Sequence, residues 1–187
     1  MAITKLVSDS LGAGVAGSLI KLSSASASSG DASVSFNLSS SYNNYKLFGY
    51  KIRPATDAVE PYFAFSEDSG STYLSTTFYS GRTYNRITNS AASAAEQQSI
   101  AGKVQLATDL GNDGDGSCEF NLFNMNGNYS GANKFCNGTW TAKHNNDDYT
   151  WDNGFIIIGN NPINNMKIEF SAGNFTSGEF VLYGIKE

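Results

Sequence analysis

Ala32-Ser33-Val34-Ser35-Phe36-Asn37-Leu38 alternates small or large apolar side chains with polar ones at every step. A period of two is the mark of a β-strand with one face in a core and the other in water. Working outward from it, similar runs occupy residues 19–24, 45–53, 62–65, 73–82, 99–107, 119–124, 139–143, 155–158, 166–171 and 179–186. Clusters of Gly, Asn, Ser, Asp and Pro separate them, at 28–31, 39–44, 54–57, 109–116, 126–133, 145–148, 159–165 and 173–178. These are the residues that supply turn geometry. Only 89–99, containing SAASAAEQQ, has helix-forming composition, and it is one or two turns long at most. Many short strands around one core predict an all-β, antiparallel β-sandwich of jelly-roll-like form. The alternation assigns Val34, Phe36, Leu47, Phe63, Phe120, Leu122, Ile168, Phe170, Val181 and Tyr183 to the core.

Composition bounds what such a sandwich can do. The 187 residues carry 12 basic and 17 acidic side chains, and charged residues make up 16% of the chain against about 25% in ordinary domains. Its surface is therefore polar without being ionic, supplied by 25 Ser, 20 Asn and 19 Gly. Twelve Phe, 10 Tyr and 2 Trp hold more apolar surface than a disordered segment does. An acidic chain without a basic run lacks the Lys and Arg clusters that hold a phosphate backbone, which argues against nucleic-acid binding. No apolar run reaches the roughly 18 residues of a membrane-spanning helix.

Residues 1–18, MAITKLVSDSLGAGVAGS, differ from the rest: isolated large apolars at Ile3, Leu6, Val7 and Leu11, then Gly12, Gly14 and Gly17. They read as an extended N-terminal arm, with residues 19–187 as a single domain. Four apolar side chains on so short a segment cannot be buried against one another, so the arm is expected to pack on the sandwich or on a neighbour. The apolar stretch 11–20 is cut short by Ser8-Asp9-Ser10 and Lys21, which speaks against a signal peptide.

Catalytic chemistry is poorly supplied. His144 is the one histidine and sits in the turn-like KHNNDDY. Asp147 and Asp148, with Trp140, Tyr149 and Trp151 nearby, form a candidate glycan-contacting group, in which aromatic faces stack on sugar rings. Adjacent residues on a strand point to opposite faces, however, so the two carboxylates converge only in a loop. The acidic segment 109–116 resembles a calcium loop but lacks its ligand spacing and closing glutamate. Three scattered Cys and His residues do not make a zinc site. No metal or cofactor is expected. Cys118 and Cys136 are too few for a disulfide framework and are read as reduced thiols, with one bridge as the alternative. The triplets at Asn37, Asn128, Asn137 and Asn174 fit the glycosylation pattern, which chance produces in so Asn-rich a chain.

One local motif is specific. Ser66-Glu67-Asp68-Ser69-Gly70-Ser71-Thr72-Tyr73 fits the Asp-box pattern S-x-D-x-G-x-[ST]-[WFY]. It predicts a turn in which Asp68 accepts backbone N–H groups, Gly70 takes the left-handed conformation and Tyr73 covers the turn beneath. A single copy marks a hairpin and not an activity.

The opening ITKLVSDSLGAGVAGSLIKL (3–22), the block SYNNYKLFGYKIRPATD (41–57) followed by FAFSEDSGSTY (63–73), and the ending SAGNFTSGEFVLYGIKE (171–187) together resemble small β-sandwich virion proteins of tailed bacteriophages infecting marine bacteria. The resemblance implies assembly in the host bacterial cytoplasm, residence in the virion, and no catalytic residues. It points to a minor capsid or decoration protein, of knob or head-fibre type, attached to the major capsid protein through the arm and forming a homo-oligomer, a trimer before a dimer. The alternative it leaves open is a tail-fibre or receptor-binding module that contacts host surface glycans.

Overall fold

A computed structural model describes residues 18–75, 77–87, 93–128, 131–144 and 147–186. Twelve strands follow one another: β1 (Leu19–Ser28), β2 (Ser33–Asn37), β3 (Asn44–Pro54), β4 (Pro61–Ser66), β5 (Thr77–Ile87), β6 (Ser93–Ala101), β7 (Val104–Gln105), β8 (Gly116–Phe123), β9 (Lys134–His144), β10 (Asp147–Ile157), β11 (Asn165–Phe170) and β12 (Phe175–Ile185). They form an eight-stranded sheet, ordered β1-β12-β3-β8-β9-β10-β5-β6, and a four-stranded sheet, ordered β2-β11-β4-β7. Every named pairing is antiparallel.

Two halves of different origin make up the larger sheet. The strands β1-β12-β3-β8 against β2-β11-β4-β7 have the winding of a jelly roll, in which the chain passes between sheets and closes two Greek keys. Hairpin β5–β6 is inserted between β4 and β7, and hairpin β9–β10 between β8 and β11. Both insertions pair beyond β8, which doubles the width of the first sheet.

Phe63 of β4 marks where the two sheets meet. Its ring lies 4.8 Å from Phe120 of β8 and 6.2 Å from Phe155 of β10, edge to face in both cases, the arrangement aromatic quadrupoles favour. Val34, Phe36, Leu47, Phe63, Phe120, Leu122, Ile168 and Phe170 are all buried, as the alternation predicts. Tyr45, fully buried, brings its hydroxyl onto the Ser39 and Tyr42 carbonyl oxygens and so ties the 39–42 turn to the core. Burial pushes its pKa up to about 12.

Two expectations need correction. Val181 and Tyr183 do not face the core; Phe180 and Leu182 do, at 0% exposure each. Glu179-Phe-Val-Leu-Tyr183 is apolar in both phases, so alternation cannot choose the face, and pairing does: Leu182 lies opposite Leu47, and Val181 opposite Phe48. Residues 93–99 are not helical. They belong to β6, which pairs along β5 with Tyr79 opposite Ser99, and the hydrogen-bond ladder outweighs a helical preference of tenths of a kcal/mol per residue. The expected arm residues Ile3, Leu6, Val7 and Leu11 lie outside the described residues.

Candidate functional site: the outer face of the eight-stranded sheet

Trp140 and Trp151, expected to contact a glycan, are paired across β9 and β10 and point into the sandwich, 0% and 1% exposed. Their faces are core surface and cannot stack on a ligand, which corrects that expectation. Tyr149 stacks on Trp151 from the same side, 5.3 Å between centroids and 18° from parallel. The strand parity that turns Trp151 inward turns Asp148 outward, opposite Lys143. The side chains of His144 and Asp147 lie outside the described residues.

The Asp-box residues do come together. Asp68 accepts from the Thr72 hydroxyl (2.6 Å), the Thr72 N–H (2.8 Å) and the Ser66 hydroxyl (2.7 Å). Gly70, at φ +87°, donates its N–H to Ser66 Oγ at 2.9 Å, and the Tyr73 hydroxyl lies 3.2 Å from Asn165 Oδ1. The turn is also tied to the loop before β11, where Ser69 N–H donates to Asn164 Oδ1 and Asn164 Nδ2 donates to the Glu67 carbonyl, both at 2.7 Å. All these bonds serve the turn itself. The Thr72 bonds, then the Ser66 bond, hold the Asp68 carboxyl down at about 2. Because the folded value is depressed, this contribution to stability is complete above the ordinary 3.8 and is lost as pH falls through about 2. Carboxyl carbon NMR should give Asp68 a midpoint near 2 that moves toward 3.8 in Thr72→Val; an unshifted wild-type midpoint would refute the arrangement.

The acidic loop before β8 faces basic partners. Asp115 pairs with Arg53 at 2.8 Å, and Asp113 lies 3.9 Å from Lys143. Leu110, buried, bridges to Val59 and pins the loop. Among the described residues no three metal-ligating side chains converge. Cys118 and Cys136 are buried free thiols, their pKa values raised by burial. Cys118 lies opposite Trp140 and Cys136 opposite Leu122. Strand spacing puts them about 14 Å apart, beyond the roughly 7 Å that a disulfide spans between Cα atoms.

A concavity lies on the outer face of the inserted strands, a groove of about 670 Å³. Its floor is Gly154 of β10 and Gly81 of β5, directly opposite each other. A Cβ at either would meet nothing within 4 Å. Along one side runs an apolar row, Phe123–Phe135–Ile156–Tyr79, one residue from each of β8, β9, β10 and β5. Phe135 is 48% and Tyr79 57% exposed. On the far side of the glycines the next outward row of the face, outside the groove's lining, is Thr139, Asp152 and Thr83. Beyond Gly154 on the floor row stand Asn137 and Asn121, whose amides bond to each other at 2.9 Å.

Sequence reading missed this site because its parts come from four strands distant in the chain. The available signal was two glycines inside strands, positions where a missing side chain often marks a close approach. No family model, no curated protein and no solved structure matches the chain.

Proposed function

We propose that the protein is a non-catalytic structural component of a bacteriophage virion: a minor capsid or decoration protein whose jelly roll is displayed on the particle and whose first 18 residues anchor it. The observation that carries this reading is the position of β1. It is an edge strand of the eight-stranded sheet, it directly follows the apolar-dotted segment, and Leu19 and Ile20 at its start remain 45% and 41% exposed. Among the described residues no strand pairs along its outer edge, and such an edge with exposed apolar side chains is a template for a partner's strand. In this reading the partner is the major capsid protein or a second copy of the chain, and assembly around a threefold axis presents many edges at once.

Four apolar side chains at about 25 cal/mol per Å² give several kcal/mol, less about 1 kcal/mol per ordered residue. The net per copy is small, so anchoring depends on pairing at the edge and on many copies. Deleting residues 1–17 is expected to leave a folded domain with an unchanged β-type circular dichroism spectrum that no longer joins particles. Full incorporation of the truncated chain would overturn the anchoring role, and failure to fold would make the arm part of the core. Copy number per wild-type particle separates lattice-wide decoration from a few copies on a tail.

A further inference from the structure

The groove over Gly81 and Gly154 has an apolar row on one flank and a polar row of the same face beyond the other, and that juxtaposition narrows what fits. Neighbouring strands lie about 4.8 Å apart, so the facing Gly81 and Gly154 on adjacent strands leave a gap about as wide as one six-membered ring. The apolar row offers the exposed faces of Phe135 and Tyr79 on one flank. Asn137 at the end of the floor offers its amide, bonded to that of Asn121, and the next row of the same face, just outside the groove's own lining, carries Thr139, Asp152 and Thr83. A ligand that suits both has an apolar face and a rim of hydroxyl groups, which describes a pyranose: C–H groups against the rings, hydroxyls to the amides and the carboxylate.

Charge narrows the class further. Among the described side chains Lys46 and Lys143, the cations near this part of the face, already have acidic partners: Lys46, beyond Asn121, pairs with Glu119 at 2.5 Å, and Lys143 lies 3.9 Å from Asp113. Asp152 is then the charge beside the groove, and it repels phosphate, sulfate and sialic acid. Size decides against a second copy of the chain. At about 150–250 Å² per fully exposed large side chain, Tyr79, Phe135, Phe123 and Ile158, 36–57% exposed, present roughly 300–400 Å² of apolar surface, about half of the ~800 Å² each partner buries in a standard interface.

We infer that this groove binds a neutral saccharide unit, with Phe135 and Tyr79 as stacking faces and Asn137, Thr139 and Asp152 as hydroxyl partners. The inference stands whether or not the domain is anchored on a virion. It is tested on the full chain by saturation-transfer NMR with maltotriose, cellotriose and chitotriose, sialyllactose as the anionic comparison, and light scattering alongside. At least one neutral trisaccharide is expected to bind with transfer from aromatic protons, and sialyllactose not to bind. Gly154→Val fills the groove where there is open space, so it should fold, keep its melting temperature and weaken binding at least about tenfold, roughly 1.4 kcal/mol. Failure of all three neutral probes at about 10 mM, well above millimolar affinity, overturns the inference. So does binding of sialyllactose alone, or binding that Gly154→Val leaves unchanged. Self-association of the wild type that Gly154→Val abolishes would instead assign the face to a second copy.

Discussion

Lys134→Met is expected to destabilise the domain by about 3 kcal/mol or more, the cost of leaving three buried carbonyls without their donor. Lys134 opens β9 and its parity turns it inward, so it is completely buried. Its ammonium is nonetheless fully used: Nζ donates to the carbonyls of Ala132 (2.8 Å), Gly127 (2.9 Å) and Gly159 (3.0 Å). Three donors meet three acceptors, and the cation ties the loop before β9 to the one after β10. Burial lowers its pKa. Methionine fills much the same volume but leaves three carbonyls without that donor, each costing about 1–3 kcal/mol if water cannot reach it. For a domain of this size the melting temperature should fall on the order of 10 °C. A loss below about 1 kcal/mol in urea unfolding would mean that water replaces the ammonium, since neutral hydrogen bonds are worth about that much.

Gly138→Val should be as damaging, at about 3 kcal/mol or more, the upper end for overpacking a core. Gly138 lies opposite Phe120 in the β8–β9 ladder, on the core side. A Cβ there would fall on the Glu119 carbonyl oxygen and come within 2.6 Å of the Phe120 ring and 2.7 Å of its Cα. Two of those obstacles are backbone, so no rotamer change relieves them; β8 and β9 would have to separate, and Phe120 would lose its packing on Phe63. Gly154→Val, one strand away on the outer face with nothing near its Cβ, is the matched control and should be neutral or slightly stabilising, valine being the better strand former. Equal melting temperatures for the two variants would refute the assignment of faces.

These two glycines show where sequence reading stops. Both sit in strands of period two, and the sequence around them looks alike: Cys-Asn-Gly138-Thr and Asp-Asn-Gly154-Phe. One is closed by Phe120 and the other opens the candidate site, a difference made by residues elsewhere in the chain. Trp140 and Trp151 teach the same lesson from the other side. Their proximity to Asp147, Asp148 and Tyr149 suggested a ligand site, but composition does not say which face of a strand is inside. The Asp-box was legible because the bonds to Asp68 and Ser66 that shape it run within eight consecutive residues, although Asn164 and Asn165 also tie it from outside.

By itself the sequence determined what depends on local pattern: an all-β chain, turns at Gly- and Asn-rich clusters, the Asp68 turn, and the inward face wherever one phase was apolar and the other polar, as at Val34 and Phe36. Tertiary structure alone decided the phase of β12, where both phases are apolar, and made 93–99 a strand against its helix-forming composition. It also decided the pairing of two inserted hairpins beyond β8 and the meeting of Gly81, Gly154, Phe135 and Asn137 on one face. The physical reason is that a strand's side-chain alternation is fixed within the strand, whereas its neighbours and the covered face are fixed by hydrogen bonds and burial between residues far apart in the chain.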